Sequence, residues 1–370
     1  MITEISLKRF KCFESLEGVR LSRVCLLAGS NGRGKSSLLQ ALLLIAQSMD
    51  NEKSLKHIEL NGELVEMGTF HDVLFAYAKD GCPSICYKTD DEEENEIVLT
   101  FNQYRDKPQW GNIVSLKVNN KDLVEELGSN SDVGGNSQVL GATSTIAGLA
   151  QLHNVYFVAA DRRGPMDYAK KNDNQAENKI GIHGEFLINT LAQKGADFVK
   201  EVAKNVSLIL DGASVKVKDT DTDYLRFYLD SVNGTEGFRP TNVGFGYSYI
   251  LPVVITMLMA EPGAKIFMEN PEAHLHPGAQ SRLVDFLIKK AKEHSLQLFI
   301  ETHSEHIING LRIAVVQKEL PREEARIIFF ARENDFCPQV CQIKIDRQGN
   351  LSDYPNGFMD EWGIQMAKLV

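Results

Sequence analysis

Eight consecutive residues, Gly29-Ser30-Asn31-Gly32-Arg33-Gly34-Lys35-Ser36, fit G-x-x-x-x-G-K-[ST], a spacing that wraps a chain of phosphates. Glycines let the backbone turn without Cβ clashes, so that successive N–H groups face anionic oxygens. The Lys35 ammonium supplies a point charge for the β- and γ-phosphates, and the Ser36 hydroxyl is a ligand for Mg²⁺. Asn31, Gly32, Gly34, Lys35, Ser36 and Ser37 are therefore the first nucleotide-binding candidates. Val24 to Ala28 reads as a short buried strand, and Ser37 to Gln47, rich in Leu and Ala, as a buried helix. Strand, loop and helix in that order also bring the positive end of a helix dipole to the anion.

A second constellation lies some 240 residues on. Lys265 to Met268 is an apolar strand that ends in Glu269-Asn270-Pro271-Glu272. A carboxylate at such a strand end orients Mg²⁺ and its waters, which makes Glu269 the metal-side candidate beside Ser36. The next position, where a second acid usually polarises the attacking water, holds Asn270, which does not accept a proton as a carboxylate does. Glu272 either takes over that role or shapes the loop. Glu301-Thr302-His303-Ser304 follows another buried strand, where His303 can hydrogen-bond a γ-phosphate. The catalytic candidates are thus Glu269, Asn270, Glu272 and His303. Gly244, Gly246 and Ser248 precede a helix and form a second candidate phosphate nest. His274 and His276 read as subunit-contact or loop-capping residues in preference to metal ligands.

The elements that must hold these groups alternate in type. Residues 1–28 read as two strands, Ile5, Leu7 and Phe10 lying in the first. Ser84 to Tyr87, Ile97 to Phe101 and Ile113 to Val118 alternate as antiparallel strands, with Asp90-Asp91-Glu92-Glu93-Glu94 as an acidic hairpin tip. Gly128 to Ser144 and Lys170 to Glu177 read as mobile polar loops. Phe186 to Leu210 and Leu251 to Met259 read as helices, Tyr224 to Val232 as a strand. Leu283 to Ala291 is a further helix, Leu298 to Ile300 a central strand, and Ile327 to Ala331 with Val340 to Ile345 close the sheet. The expected division is one nucleotide-binding sheet assembled from residues 1–160 and 240–345, an inserted helical and β subdomain at 161–239, and a tail at 346–370.

Composition sets bounds on function. A chain of 370 residues with 43% hydrophobic and 24% charged residues has enough apolar content for a large core. No apolar run reaches membrane-span length, and Met1 to Ile5 lacks the layout of a signal peptide; the six cysteines are sparse for this length, so a reduced cytoplasmic setting is expected. The net charge of −10 argues against a dedicated nucleic-acid surface without excluding a local groove, and no dense Lys/Arg cluster occurs. Lys8, Arg9 and Lys11 read as nucleotide contacts or a solvated strand edge. Cys82 with Cys86, and Cys337 with Cys341, read as small core residues, since C-x₃-C lacks the tight knuckle of zinc sites.

In this order the pieces resemble the ABC-type ATPases of the SMC, RecF and OLD branch. The phosphate loop, a degenerate signature at Val243 to Ser248, a Walker B strand at Ile266 to Glu269 and a switch histidine at His303 carry the resemblance. Glu269 to Pro277 with Glu301 to His306 is similar to stand-alone ATPases of bacterial anti-phage modules such as Septu, PARIS and Gabija. Leu60-Asn61-Gly62, Met67-Gly68-Thr69, Gly181 to Glu185 and Ile345 to Asn350 fit the same family.

The resemblance implies an α/β fold: an ABC-type P-loop ATPase head with a mixed central sheet, an antiparallel β-subdomain and a helical insertion. It also implies ATP and Mg²⁺ as ligands, a homodimer that sandwiches ATP between one phosphate loop and the other subunit's signature, and a nuclease or toxin as effector partner. Asn270 at the second-acid position implies slow hydrolysis. The signature lacks Leu-Ser-Gly-Gly-Gln, and Gln47 is poorly sited as the glutamine that links Mg²⁺ to the helical lobe. A DNA-repair or recombination ATPase acting directly on nucleic acid is the alternative.

Overall fold

The computed structural model describes residues 1–49, 55–78, 81–90, 95–105, 107–124, 147–172, 179–212, 214–220, 222–230, 237–331 and 338–369. The chain divides into two compact units, one of residues 1–155, 326–344 and 351–370, the other of residues 156–325 and 345–350.

The first unit begins with β1 (Ile2–Phe10), β2 (Phe13–Arg20), β3 (Val24–Gly29) and α1 (Lys35–Ser48). There follow β4 (Ile58–Glu59), α2 (Phe70–Val73), β5 (Ser84–Thr89), β6 (Glu96–Tyr104), β7 (Lys107–Val118), β8 (Lys121–Asp122) and α3 (Ala147–Ala150). The second unit carries β9 (Val155–Val158), β10 (Tyr168–Lys170), α4 (Leu187–Leu210), β11 (Ser214–Asp219) and β12 (Tyr224–Asp230). It continues through α5 (Phe245–Met259), β13 (Lys265–Glu269), α6 (Pro277–Glu293), β14 (Gln297–Glu301) and α7 (Glu305–Val316). The chain then supplies β15 (Ala325–Ala331), β16 (Gln339–Ile343) and α8 (Glu361–Ala367) to the first unit.

In the first unit an antiparallel sheet runs β2-β1-β5-β6-β7-β4, with β8 beside β7. The phosphate-loop strand β3 lies beside β15, which pairs antiparallel with β16. Val24 to Leu27 and the Leu-rich face of α1 are buried, so strand and helix are fixed at both ends of the loop they carry. β2 is an element that the sequence pattern conceals. Its buried residues Phe13, Leu16 and Val19 fall three apart; between Leu16 and Val19 a register shift opposite Leu7 and Ile5 places an extra residue in β2.

In the second unit the order is β14-β13-β9, with β13 and β14 parallel and in register from Lys265 opposite Gln297 to Glu269 opposite Glu301. Phe267 and Phe299 stack across the pair at 4.7 Å. Both strands are fully buried along their apolar stretch, and both end in a carboxylate. A separate antiparallel sheet runs β10-β12-β11 and packs on α4.

Several helices start earlier than expected. α5 begins at Phe245, and α6 at Pro277, where proline occupies the first turn and His276 accepts from the Gly278 N–H through Nδ1. His276 thus caps a helix, one of the roles read from the sequence. Helix α4 is interrupted by Gly195 at φ 83°. The cysteine expectation needs correction. Cys82 precedes β5, and Cys86 alternates with buried Ile85 and Tyr87, so both thiols are half-exposed and lie outside the core. Among the described residues no group of three or more His, Cys, Asp or Glu is poised to hold a metal ion. Cys337, the acidic tip at 91–94 and the segments 128–144 and 173–177 fall outside the described residues.

Candidate nucleotide site

The phosphate loop of the first unit is shaped by three glycines with left-handed φ: Gly29 at 133°, Gly32 at 70° and Gly34 at 95°. A Cβ on Gly29 would sit 2.3 Å from the Phe330 carbonyl oxygen, and one on Gly34 2.4 Å from the Phe13 ring. Gly32 differs: no atom lies within 4 Å of its Cβ position, so its glycine answers to backbone conformation alone. Gly34 is also the N-cap of α1, which leaves the first N–H groups of the helix at the loop. Lys35 is buried, and its ammonium donates to the carbonyls of Gly29 at 3.0 Å and Ser30 at 2.9 Å. Asn31 and Gly32 are exposed, while Ser36 and Ser37 are half-buried at the helix start.

Gln47 lies at the far end of α1. Its amide donates to the carbonyls of Glu59 and Val65 and accepts from the N–H groups of Leu64 and Val65. It ties down the segment after the helix, in agreement with its poor fit to a metal-linking role.

In the second unit the parallel register brings the ends of β13 and β14 side by side. Glu269 accepts from the Ala160 N–H at 3.1 Å through Oε2. Burial, followed by the nearby charges of Glu301 and Asp161, raises its pKa, and the Ala160 bond and Arg162 oppose the rise. Asn270 adopts φ 44°, and its N–H donates to the Glu301 carbonyl at 2.8 Å. Its side-chain Oδ1 is buried without a hydrogen-bond partner.

Glu272 is 6% exposed. Its Oε1 accepts from the Thr302 hydroxyl at 2.6 Å and the His303 N–H at 3.3 Å, whereas Oε2 has no partner. Burial pushes its carboxyl upward, with these hydrogen bonds and Arg162 acting against it. The His303 side chain is exposed at the same strand end. Ser304 caps α7 by accepting from His306 and Ile307, and donates its own hydroxyl to Gln280 at 2.5 Å.

Sequence reasoning assigned no role to Arg162. It is 2% exposed, donates through Nη2 to the Asn270 carbonyl at 2.5 Å, and lies 5.4 Å from the centre of the Tyr249 ring. Burial lowers its pKa to about 10 against the opposing pull of Glu272, Tyr249 and Glu269. The Gly181–Glu185 turn holds this segment, accepting from Ala159 and Arg163 at the Ile182 and His183 carbonyls. One signal existed in the sequence: charged residues, Asp161 and Arg162, shortly after a buried strand.

Gly244 is the exposed N-cap of α5, and Gly246 packs against His274, whose carbonyl oxygen would lie 2.7 Å from a Cβ there. Ser248 is buried, its Oγ without a hydrogen-bond partner. His274 sits at φ 63° with its ring 4.5 Å from that of Tyr249. It therefore braces the start of α5.

Comparison with known proteins agrees with this arrangement. A family model described as an AAA ATPase domain matches residues 167–308, and one described as a protein of unknown function (DUF3696) matches residues 320–369. No curated protein matches the chain. Among solved structures, the chain is similar to an SMC head bound to the C-winged helix domain of ScpA, at 13% identity and a TM-score of 0.56 over 94% of this chain and 98% of that one. It is similar to the SMC head domain from Thermotoga maritima, at 13% identity and a TM-score of 0.50 over 93% and 99%. An SMC head domain with an extended coiled coil, bound to the C-terminal domain of ScpA derived from Pyrococcus furiosus, aligns at 12% identity and 0.53 over 100% and 98%. The fold is that of a mixed α/β P-loop ATPase head. The domain match supports ATPase chemistry in residues 167–308.

Proposed function

We propose that the chain binds ATP on the Gly29–Ser36 loop, hydrolyses it slowly, and dimerises head to tail around it. In this reading the Val243–Ser248 segment of each copy completes the site of the other, and the closed dimer controls a protein effector in anti-phage defence. The carrying observation is Lys35, whose ammonium is buried within the loop and donates to the carbonyls of Gly29 and Ser30. That position is where the β- and γ-phosphates of a bound ATP need a cation.

Ser36 and Glu269 offer oxygen donors of the kind a hard cation takes, and Glu269 accepts from the Ala160 N–H through Oε2. Mg²⁺, when bound, offsets the charge that develops on the transferred phosphoryl group. The remaining roles fall to the chain itself. Glu272 accepts a proton from the attacking water, Asn270 orients it without taking its proton, and His303 donates to the γ-phosphate. ATP favours the closed form only through contacts that ADP lacks, and these are the γ-phosphate contacts of Lys35, His303 and the signature segment. The charge of −10 and the Asn270 substitution support a nucleotide-gated protein scaffold with slow turnover, in a cytoplasmic setting. No described helix is long and apolar enough to cross a membrane.

A second reading, a repair or recombination ATPase acting on nucleic acid, is favoured by the cationic, tyrosine-bearing face of the β10-β12-β11 sheet. The deciding experiment measures phosphate release and molecular mass of the purified chain with ATP and Mg²⁺. Slow release with doubling of mass is the expected result. Absence of ATP binding would overturn the reading as a whole, and unchanged mass would overturn the dimer.

A further inference from the structure

The sheet β10-β12-β11 has one face packed on α4, where Val215, Leu225, Phe227 and Leu229 are buried. The alternate residues point the other way. Register places Tyr168 opposite Arg226, Arg226 opposite Lys218, and Lys170 opposite Tyr224, so these five share the outer face with Tyr228. All five are exposed, Tyr168 by 64% and Tyr224 by 45%. The Tyr168 and Tyr224 rings meet edge to face at 5.7 Å, and the Lys218 ammonium lies 5.2 Å from the centre of the Tyr228 ring.

The carboxylates of these strands do not face this surface to the same degree. Asp219 pairs with Leu225 in the inward alternation and binds Lys171 at 2.6 Å. Asp230 falls in the outward alternation but is 1% exposed. A chain of net charge −10 thus gathers four cations, Lys170, Lys216, Lys218 and Arg226, and three tyrosines on one sheet face; Lys216 is half-buried and the other three cations are exposed.

We infer that the outer face of the β10-β12-β11 sheet binds single-stranded nucleic acid. Tyr168, Tyr224 and Tyr228 provide ring surface for unpaired bases, and Lys170, Lys218 and Arg226 contact the phosphates between them. The chemistry favours a single strand over a duplex, because stacking on tyrosine needs bases that are already unpaired. Charge complementarity selects a polyanion. Stacking accommodates every base, so the face reads strandedness and not sequence. The inference is independent of the ATP reading, since no residue of the phosphate loop or of the two acidic strand ends takes part.

The test is fluorescence anisotropy of a labelled oligo(dT) and an oligo(rU) with the full chain and no nucleotide present. Three phosphate contacts predict a slope of log K against log salt of about −2 for a single strand. Lys218→Gln with Arg226→Gln should flatten that slope to about −0.7. Tyr168→Ala with Tyr224→Ala should weaken binding about 5-fold or more at unchanged slope. All four positions are exposed, and thermal melting of each variant identifies any that fail to fold; single Lys218→Gln and Tyr168→Ala substitutions then replace the pairs. Binding that ignores both sets of variants, tighter binding of duplex than single strand, equal binding of a poly-glutamate peptide, or no binding at 50 mM salt would each overturn the inference. Loss of ATP binding by a phosphate-loop variant with oligonucleotide binding intact would confirm that the two activities are separate.

Discussion

The guanidinium of Arg162 donates to the main-chain carbonyl of Asn270 at 2.5 Å, while the Asn270 N–H donates to Glu301. The residue that stands where a second acid was expected is therefore clamped on both sides of its backbone, in a left-handed conformation. Its neighbour Glu269 is held by Ala160, two residues from Arg162. The segment after β9 thus holds Glu269 and the Asn270 carbonyl. Arg162→Met should lower turnover with ATP affinity unchanged. The lost charge-assisted bond should cost about 1.5–3 kcal/mol of stability. Arg162→Lys should recover part of both. Calorimetry, steady-state kinetics and urea denaturation separate these effects, and full activity in Arg162→Met would remove the residue from the proposed site.

Lys35→Ala should abolish ATP binding while the protein stays folded. The carbonyls of Gly29 and Ser30 lose a donor, but the glycine-shaped turn and α1 do not depend on it. Unchanged ATP affinity by calorimetry would defeat the phosphate-loop assignment.

Glu272 and Asn270 make opposite predictions about the base. If Glu272 accepts the proton, Glu272→Gln should lose about 10²–10⁴ in turnover, and Asn270→Glu should change little. If the position of Asn270 is decisive, Asn270→Glu should accelerate hydrolysis instead. Single-turnover assays distinguish the two.

The same substitution has a pH signature. The Glu272 pKa is raised in the folded protein, so between the unfolded value of about 4.3 and the folded value the native state holds more protons than the unfolded state. Stability then falls as pH rises through that window. Glu272→Gln, which keeps an acceptor for Thr302 and His303, should be more stable than the parent at pH 8, and the gain should shrink as pH falls towards about 4.3. Denaturation at several pH values in the absence of nucleotide checks the sign. A gain independent of pH would show that the carboxylate is ionised at no cost.

Gly244→Trp should block ATP-dependent dimers and spare ATP binding by the single chain. Gly244 is exposed and has only the Tyr247 ring at 4.0 Å from its Cβ position, whereas a side chain at Gly246 would collide with the His274 carbonyl. Gly244 therefore probes the surface without disturbing α5. Normal dimers in light scattering would refute the sandwich.

The phosphate loop was legible in the sequence because its chemistry is local. Eight adjacent residues set their own φ angles, and the flanking apolar runs declare a strand and a helix. The acidic strand ends were legible for the same reason, and so was the helix-capping option for His276, which needs only its own next turn. Other features depended on which strands lie side by side. The concealed strand β2 needed the register shift opposite Ile5 and Leu7 to explain why Leu16 and Val19 lie three apart on one face. Arg162 follows β9 and meets Asn270, more than a hundred positions on, only because β9 lies beside β13. No dense basic cluster appears along the chain, yet Lys170, Lys218 and Arg226 share one face once β10 and β11 flank β12. The sequence by itself determined the groups whose geometry is set by their immediate neighbours. The tertiary structure decided those whose partners arrive from distant strands, because side-chain direction in a sheet is settled by pairing register and not by position along the chain.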